Sequence, residues 1–165
     1  MEDTTRRSGE MVDACIARLD KDISQEQLEQ VFGQLIGALW SRSSFTLSEI
    51  TLDAIFERAL FISTERFPIL AYYQLDYRER RIKRFLSEST ATRQEMIDSF
   101  RFLLVTILTL IGNLTADILL IGLYQELQSF SPHTLEAKSP TLGLVSKGTG
   151  PETWQNPKIG KHEGR

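Results

Sequence analysis

Carboxylates are the groups in this chain whose spacing comes closest to a catalytic arrangement. Glu49, Asp53, Glu57 and Glu65 recur along one predicted helix, and Asp117 stands inside a long apolar run. Acids paired across helices hold di-metal centres in bundles, but those centres also draw on Glu-x-x-His motifs, and the sequence contains none. Asp53 and Glu57 stand four residues apart, the spacing of a solvated helix face.

Imidazole is missing where it would matter, because both histidines, His133 and His162, fall in the C-terminal tail. A helical phosphotransfer domain, a haem site with a histidine ligand, a histidine-based triad and a structural zinc site all need that group in the folded part. Cys15 is the single cysteine; it supports neither a zinc site nor an intramolecular disulfide. Glycine-rich phosphate loops are absent as well. No catalytic residue, cofactor or metal is assigned, and the expectation is that the chain is not an enzyme.

Three clusters remain as candidates for binding. The first is a polar stripe. On a helical wheel at 100° per residue, Thr106, Thr109, Asn113, Asp117 and Tyr124 share one sector of roughly 80°. Such a stripe is either the narrow wet edge of a buried helix or a seam that meets a second subunit or lines a ligand cavity, and a polar residue in an apolar seam can fix register. The second is the basic cluster Arg78, Arg80, Arg81, Lys83 and Arg84. Asp76 with Arg80 and Glu79 with Lys83 stand at i, i+4, so a solvated helix face is one account and a docking patch for an acidic partner or an anionic membrane surface the other. The third is the aromatic group Phe56, Phe61, Phe67, Tyr72, Tyr73 and Tyr77. It reads as core, or as a pocket for a small apolar effector with the Tyr72 and Tyr73 hydroxyls as polar handles.

Helices must position all of these. Ser24 with Gln27, Thr46 with Glu49, and Thr92 with Glu95 have the spacing of capping boxes, and each precedes an apolar-periodic run. They predict helix starts near residues 25, 47 and 93; with Met11, Cys15, Ile16 and Leu19 on one side of a first helix, the first three helices cover residues 9–19, 25–41 and 47–67. Pro68 then forces a break, followed by a fourth helix over 69–86 and a fifth over 93–129. The last would be about 55 Å long, with Gly112 and Gly122 as weak points that allow a bend. The fold class is therefore all-α: a five-helix, bundle-like domain over residues 9–130, built around a long C-terminal helix. Residues 1–8 are expected to be flexible. Residues 131–165, rich in Gly, Pro and Ser, are expected to form a disordered tail.

The segment 102–124 is also long and apolar enough to span a bilayer, where about 20 residues suffice, and no Lys or Arg interrupts it. A span would place Asp117 near mid-membrane at a cost of about 2.5–3.5 kcal/mol. The flanking amphipathic helices need a centre to pack on, which favours a soluble core helix. Were it a single-pass span of the inner or plasma membrane, the arginines on its N-terminal side would keep that side cytoplasmic.

Net charge is −3; the five basic and three acidic residues of 132–165 contribute +2, leaving −5 for the rest. An acidic body is a poor footprint for nucleic acid. Met1–Glu10 is polar and resembles no signal segment, so a reducing cytoplasm is expected. The functional expectation is a cytoplasmic regulatory or signalling module that forms a homodimer and binds a protein partner through helical surfaces. The alternatives are a single-pass membrane protein with a cytoplasmic recruiting region, and a helical sensor for a small apolar effector.

Overall fold

The computed structural model describes residues 2–76, 78, 81–84 and 91–131. Within them the chain forms α1 (Glu2–Ile16), α2 (Gln25–Ser43), α3 (Glu49–Arg66), a 3-10 turn (Pro68–Tyr72), the strands β1 (Tyr73–Asp76) and β2 (Arg81–Arg84), α4 (Arg93–Thr115) and α5 (Leu120–Ser129). The all-α class holds, with one small hairpin added.

Two of the three predicted capping boxes close. Ser24 Oγ accepts from the Gln27 N–H at 3.2 Å while Gln27 Oε1 accepts from the Ser24 N–H at 2.9 Å, and Thr92 with Glu95 does the same at 3.2 and 2.8 Å. Each satisfies donors that a helix start would otherwise leave orphaned. The third start lies two residues later than predicted: Ser48, not Thr46, is the cap, and it accepts from the Thr51 N–H at 3.2 Å.

The core is organised on α4. Its Met96, Phe100, Leu103, Leu104, Ile107, Leu108 and Ile111 are buried against α1, α2 and α3, which contribute Val12, Leu28, Phe32, Leu35, Ile36, Leu52 and Phe56. Phe32 stacks on Phe100 with ring centroids 4.7 Å apart, and Tyr73 meets the same ring edge-on at 5.2 Å. Each such side chain contributes about 1.5–3 kcal/mol on burial. Among the described residues Arg93–Thr115 is the one helix long and apolar enough to cross a membrane, and half of its most apolar window is buried within the fold.

Three sequence expectations are corrected. Residues 1–8 were expected to be flexible, but α1 begins at Glu2. Its outer face is laced by Arg6–Asp3, Arg6–Glu10 and Arg7–Asp3 pairs at 3.0, 3.2 and 2.8 Å, a helical spacing worth a few tenths of a kcal/mol each. Its inner face consists of Thr4, Ser8, Gly9, Val12 and Cys15, small side chains that let it lie close to α4.

The break at Phe67–Pro68 is present, but no fourth helix follows it. Tyr73 and Leu75 are buried while Gln74 is exposed, a period of two that suits a strand. β1 pairs with β2 antiparallel, Tyr73 opposite Arg84 and Asp76 opposite Arg81. Asp76 accordingly meets Lys83 across the hairpin at 2.8 Å. Finally, the predicted 93–129 helix is two helices, because Ala116 and Asp117 take positive φ. Beyond Ser131 the expected tail lies outside the described residues.

Candidate functional site

The polar stripe of the C-terminal helices finds its partners on α1. Thr4 Oγ1 donates to the Asp117 carboxylate, 3.1 Å from Oδ1 and 3.2 Å from Oδ2. Ser8 Oγ and the Tyr124 hydroxyl share a hydrogen bond at 3.2 Å, and the Thr109 and Thr5 hydroxyls are 3.5 Å apart. Further along, Arg101 grips Asp13 with two nitrogens, Nη2 to Oδ2 at 2.7 Å, and this contact holds the Asp13 carboxyl below the usual carboxylate range. Arg18 donates to the carbonyls of Leu127 and Gln128, closing the C-terminal end of α5 where carbonyls lack helical partners. Not every stripe residue joins in. The Thr106 hydroxyl donates back to the Phe102 carbonyl at 2.8 Å, and Asn113 is exposed. Cys15 is buried on the same seam, and burial pushes its thiol up, against the pull of Arg18, so it is a poor thiolate.

Asp117 does more than accept a hydrogen bond. Ala116 has φ 48° and ψ 46°, and Asp117 has φ 63°. This left-handed region costs a residue with a Cβ roughly 1–2 kcal/mol, and such strain persists only where surrounding contacts over-determine it. The contacts converge on Gly112. Its carbonyl accepts the N–H groups of both Ala116 and Asp117, the latter at 2.8 Å. A Cβ on residue 112 would lie 2.8 Å from each of Asp117 Oδ1, Leu120 Cδ1 and Thr4 Cγ2, so only glycine admits the three elements at this distance.

The corner so held displays apolar side chains. Leu114, Ile118 and Ile121 are 57%, 76% and 69% exposed, and Phe45 in the α2–α3 turn is 84% exposed. Phe45 and Ile118 line one pocket of about 230 Å³ together with Arg42, Ser43, Gly122 and Leu123. Clustered exposure of this kind marks interaction surfaces, whereas single exposed apolar residues need no explanation. None of these residues was singled out by sequence reasoning. On the wheel of an unbroken helix Leu114, Ile118 and Ile121 fall outside the polar sector, among the apolar residues. The usable signal was Asp117, a residue type enriched in the left-handed region, spaced five residues after a glycine.

The aromatic and basic clusters meet in a second, different arrangement. The Tyr73 hydroxyl donates to Glu29 Oε1 at 3.1 Å and accepts from Arg84 Nη2 at 3.1 Å. Arg84 also ion-pairs with Glu29 and lies 5.5 Å from the centre of the Tyr73 ring. Burial pushes the Tyr73 hydroxyl up to about 12. Its polar handle is thus already occupied, and Tyr72, half-buried in the 3-10 turn, does not join it. Phe32, Phe100 and Tyr73 pack ring against ring in the core, and a groove of about 420 Å³ between α3 and the segment 70–75 is lined by Leu60, Phe61, Thr64, Tyr73 and Leu75. The basic cluster is divided. Lys83 pairs with Asp76 and Arg84 with Glu29, while Arg78 is exposed and its N–H bonds to Asp76 Oδ1 at 2.9 Å. Arg80 and the Arg81 side chain lie outside the described residues.

Among the described residues no three histidine, cysteine or acidic side chains come together as a metal site. The chain matches no protein-family model, no curated protein and no solved structure.

Proposed function

We propose that this chain is a non-catalytic regulatory or signalling module of the cytoplasm that acts by binding, and that the surface it binds with is the apolar corner between α4 and α5. The observation that carries this reading is the exposure of Phe45, Leu114, Ile118 and Ile121 around a strained, glycine-dependent turn. A fold that spends backbone strain to hold aliphatic side chains in water has a use for them. Self-association and binding of a different protein both belong to the proposal, and both would use this corner. The cover that α1, α2 and α3 give to Leu103, Leu104, Ile107 and Leu108 favours it over a single-pass span.

A photo-crosslinking amino acid at position 118, expressed in cells, tests the proposal. A product of higher mass is expected from position 118 and none from position 34, an exposed site on α2. Ile121→Asp should abolish the product. Mass spectrometry of the product separates a second copy of the chain from another protein, and equal labelling at 34 and 118 would refute the corner as the binding surface.

The groove beside β1 supports a second reading. Its 420 Å³ lies within the range of small-molecule sites, about 300–1,000 Å³, and Phe61 on its wall is exposed. A small apolar effector bound there would raise the melting temperature, and Phe61→Asp would remove the rise.

A further inference from the structure

We infer that the pocket at this corner recognises an acidic, apolar-anchored segment of a partner protein: one aliphatic or aromatic side chain enters the cavity, and a neighbouring Asp or Glu carboxylate is bound by Arg42 and Ser43. The inference rests on the corner being a docking surface and specifies what docks.

Charge is the first argument. Arg42, in the last turn of α2, lines the pocket and has neither an ion pair nor a hydrogen bond among the described residues. Elsewhere Arg84, Arg93 and Arg101 are engaged by groups of this chain; of the arginines without a partner among the described residues, Arg42 is the one that lines this pocket. The Arg42 guanidinium lies along Gly122, where a Cβ would stand 3.2 Å from both Nε and Nη2; the glycine lets it sit against α5 at the cavity wall. A guanidinium so placed is half of a charge-assisted hydrogen bond, the stronger class of such bonds.

Ser43 is the second and independent argument. It is fully buried, lines the same pocket, and its hydroxyl has no partner. The helical hydroxyls of Thr64, Ser99, Thr106 and Thr115 each donate back to a carbonyl of their own helix at 2.8 Å. Ser43 and Ser63 are the buried helical hydroxyls without a partner among the described residues; buried hydroxyls rarely go unpaired, and of the two Ser43 lines this pocket. A carboxylate against Arg42 gives it an acceptor.

Size selects the kind of occupant. At about 230 Å³ the cavity is smaller than typical small-molecule sites of about 300–1,000 Å³, and it suits a single side chain. Phe45 and Ile118 rise around its mouth, 84% and 76% exposed. A free metabolite filling the cavity would leave them in water, whereas a chain segment laid across the corner covers them.

Selection of a random peptide display library on the full chain tests this, followed by fluorescence anisotropy with the enriched peptides. The enriched sequences should place a Leu, Ile, Met or aromatic residue beside Asp or Glu. Arg42→Gln, at an exposed site that does not disturb the core, should weaken them roughly tenfold to a hundredfold. Arg42→Glu should restore binding to peptides whose acid is replaced by Lys, and Ser43→Ala should weaken the acidic peptide more than its amide version. Enrichment without an acid, or indifference to Arg42→Gln, overturns the inference. Loss of binding in Ile118→Asp alongside such indifference would keep the docking corner and remove only the acid recognition; indifference to Ile118→Asp, or failure to enrich any peptide, would remove the corner too. Peptides that reproduce a stretch of this chain would make a second copy the occupant and overturn the choice of a partner protein.

Discussion

The seam between α1 and the α4–α5 corner spreads its polar contacts over four side-chain pairs, Thr4–Asp117, Thr5–Thr109, Ser8–Tyr124 and Asp13–Arg101, at a surface that water partly reaches. The Glu29–Tyr73–Arg84 junction gathers its contacts on one carboxylate beneath the hairpin, with side chains only about a fifth exposed at Glu29 and Arg84. Both tie segments that are distant in sequence. In the seam each tie is one of several, so losing one leaves the others to hold α1 in place. In the junction each group is the condition for burying the other two, so removing one leaves charge without compensation.

Glu29→Gln is expected to have the largest effect. It leaves the Arg84 guanidinium half-buried against a neutral amide, and should lower unfolding free energy by roughly 2–3 kcal/mol, between the worth of a charged hydrogen bond and that of a broken buried pair. Urea denaturation followed by circular dichroism reads it. Gly112→Ala comes next. The methyl must displace Thr4, Asp117 and Leu120 together, which should cost roughly 1–2 kcal/mol and, in hydrogen exchange, unprotect α1 before the other helices.

The pH scale separates the two regions. The Tyr73 hydroxyl is raised from 10.0 to about 12, so the stability it contributes is complete below about pH 10 and is lost as the pH climbs towards 12. Asp13 is lowered by Arg101, so its contribution is present above the ordinary carboxylate range and lost as the pH falls through its depressed value. Hydrogen exchange should therefore show the hairpin loosening first in alkali and α1 first in acid; simultaneous loosening at both ends would dissolve the distinction. The smallest effect is expected for Asp13→Asn, at most about 1 kcal/mol for an exposed pair. A loss equal to that of Glu29→Gln would mean the seam is as concentrated as the junction.

What the sequence disclosed and what it hid divide along the same line. Two of the three capping boxes, the proline break and the apolar face of α2 are written in spacings of three and four residues, and the structure keeps them; on α3 the cap moves to Ser48, Leu52 is buried and Ile50 is left exposed. The polar start of the chain and the polar stripe were each legible, but as separate oddities. Thr4 and Asp117 stand 113 residues apart, and no local pattern announces that the Thr–Ser–Gly face of one helix completes the polar line of another. The hairpin was misread because Asp76 to Lys83 carries helical charge spacing over a strand's alternation. The apolar corner was hidden for a related reason: Ile118 and Ile121 become exposed only once Ala116 and Asp117 turn the chain, and that turn depends on Gly112, Thr4 and Leu120 acting together.

The hydroxyl-bearing face of α1 has a practical side. Anyone trimming the hydrophilic start of this polypeptide to obtain a tidier sample would delete Thr4, Thr5 and Ser8 and with them the clasp on Asp117 and Tyr124. The shortened product would keep its aromatic stack yet lose the bracket that bends its last two helices, and an assay on it would report on a different surface.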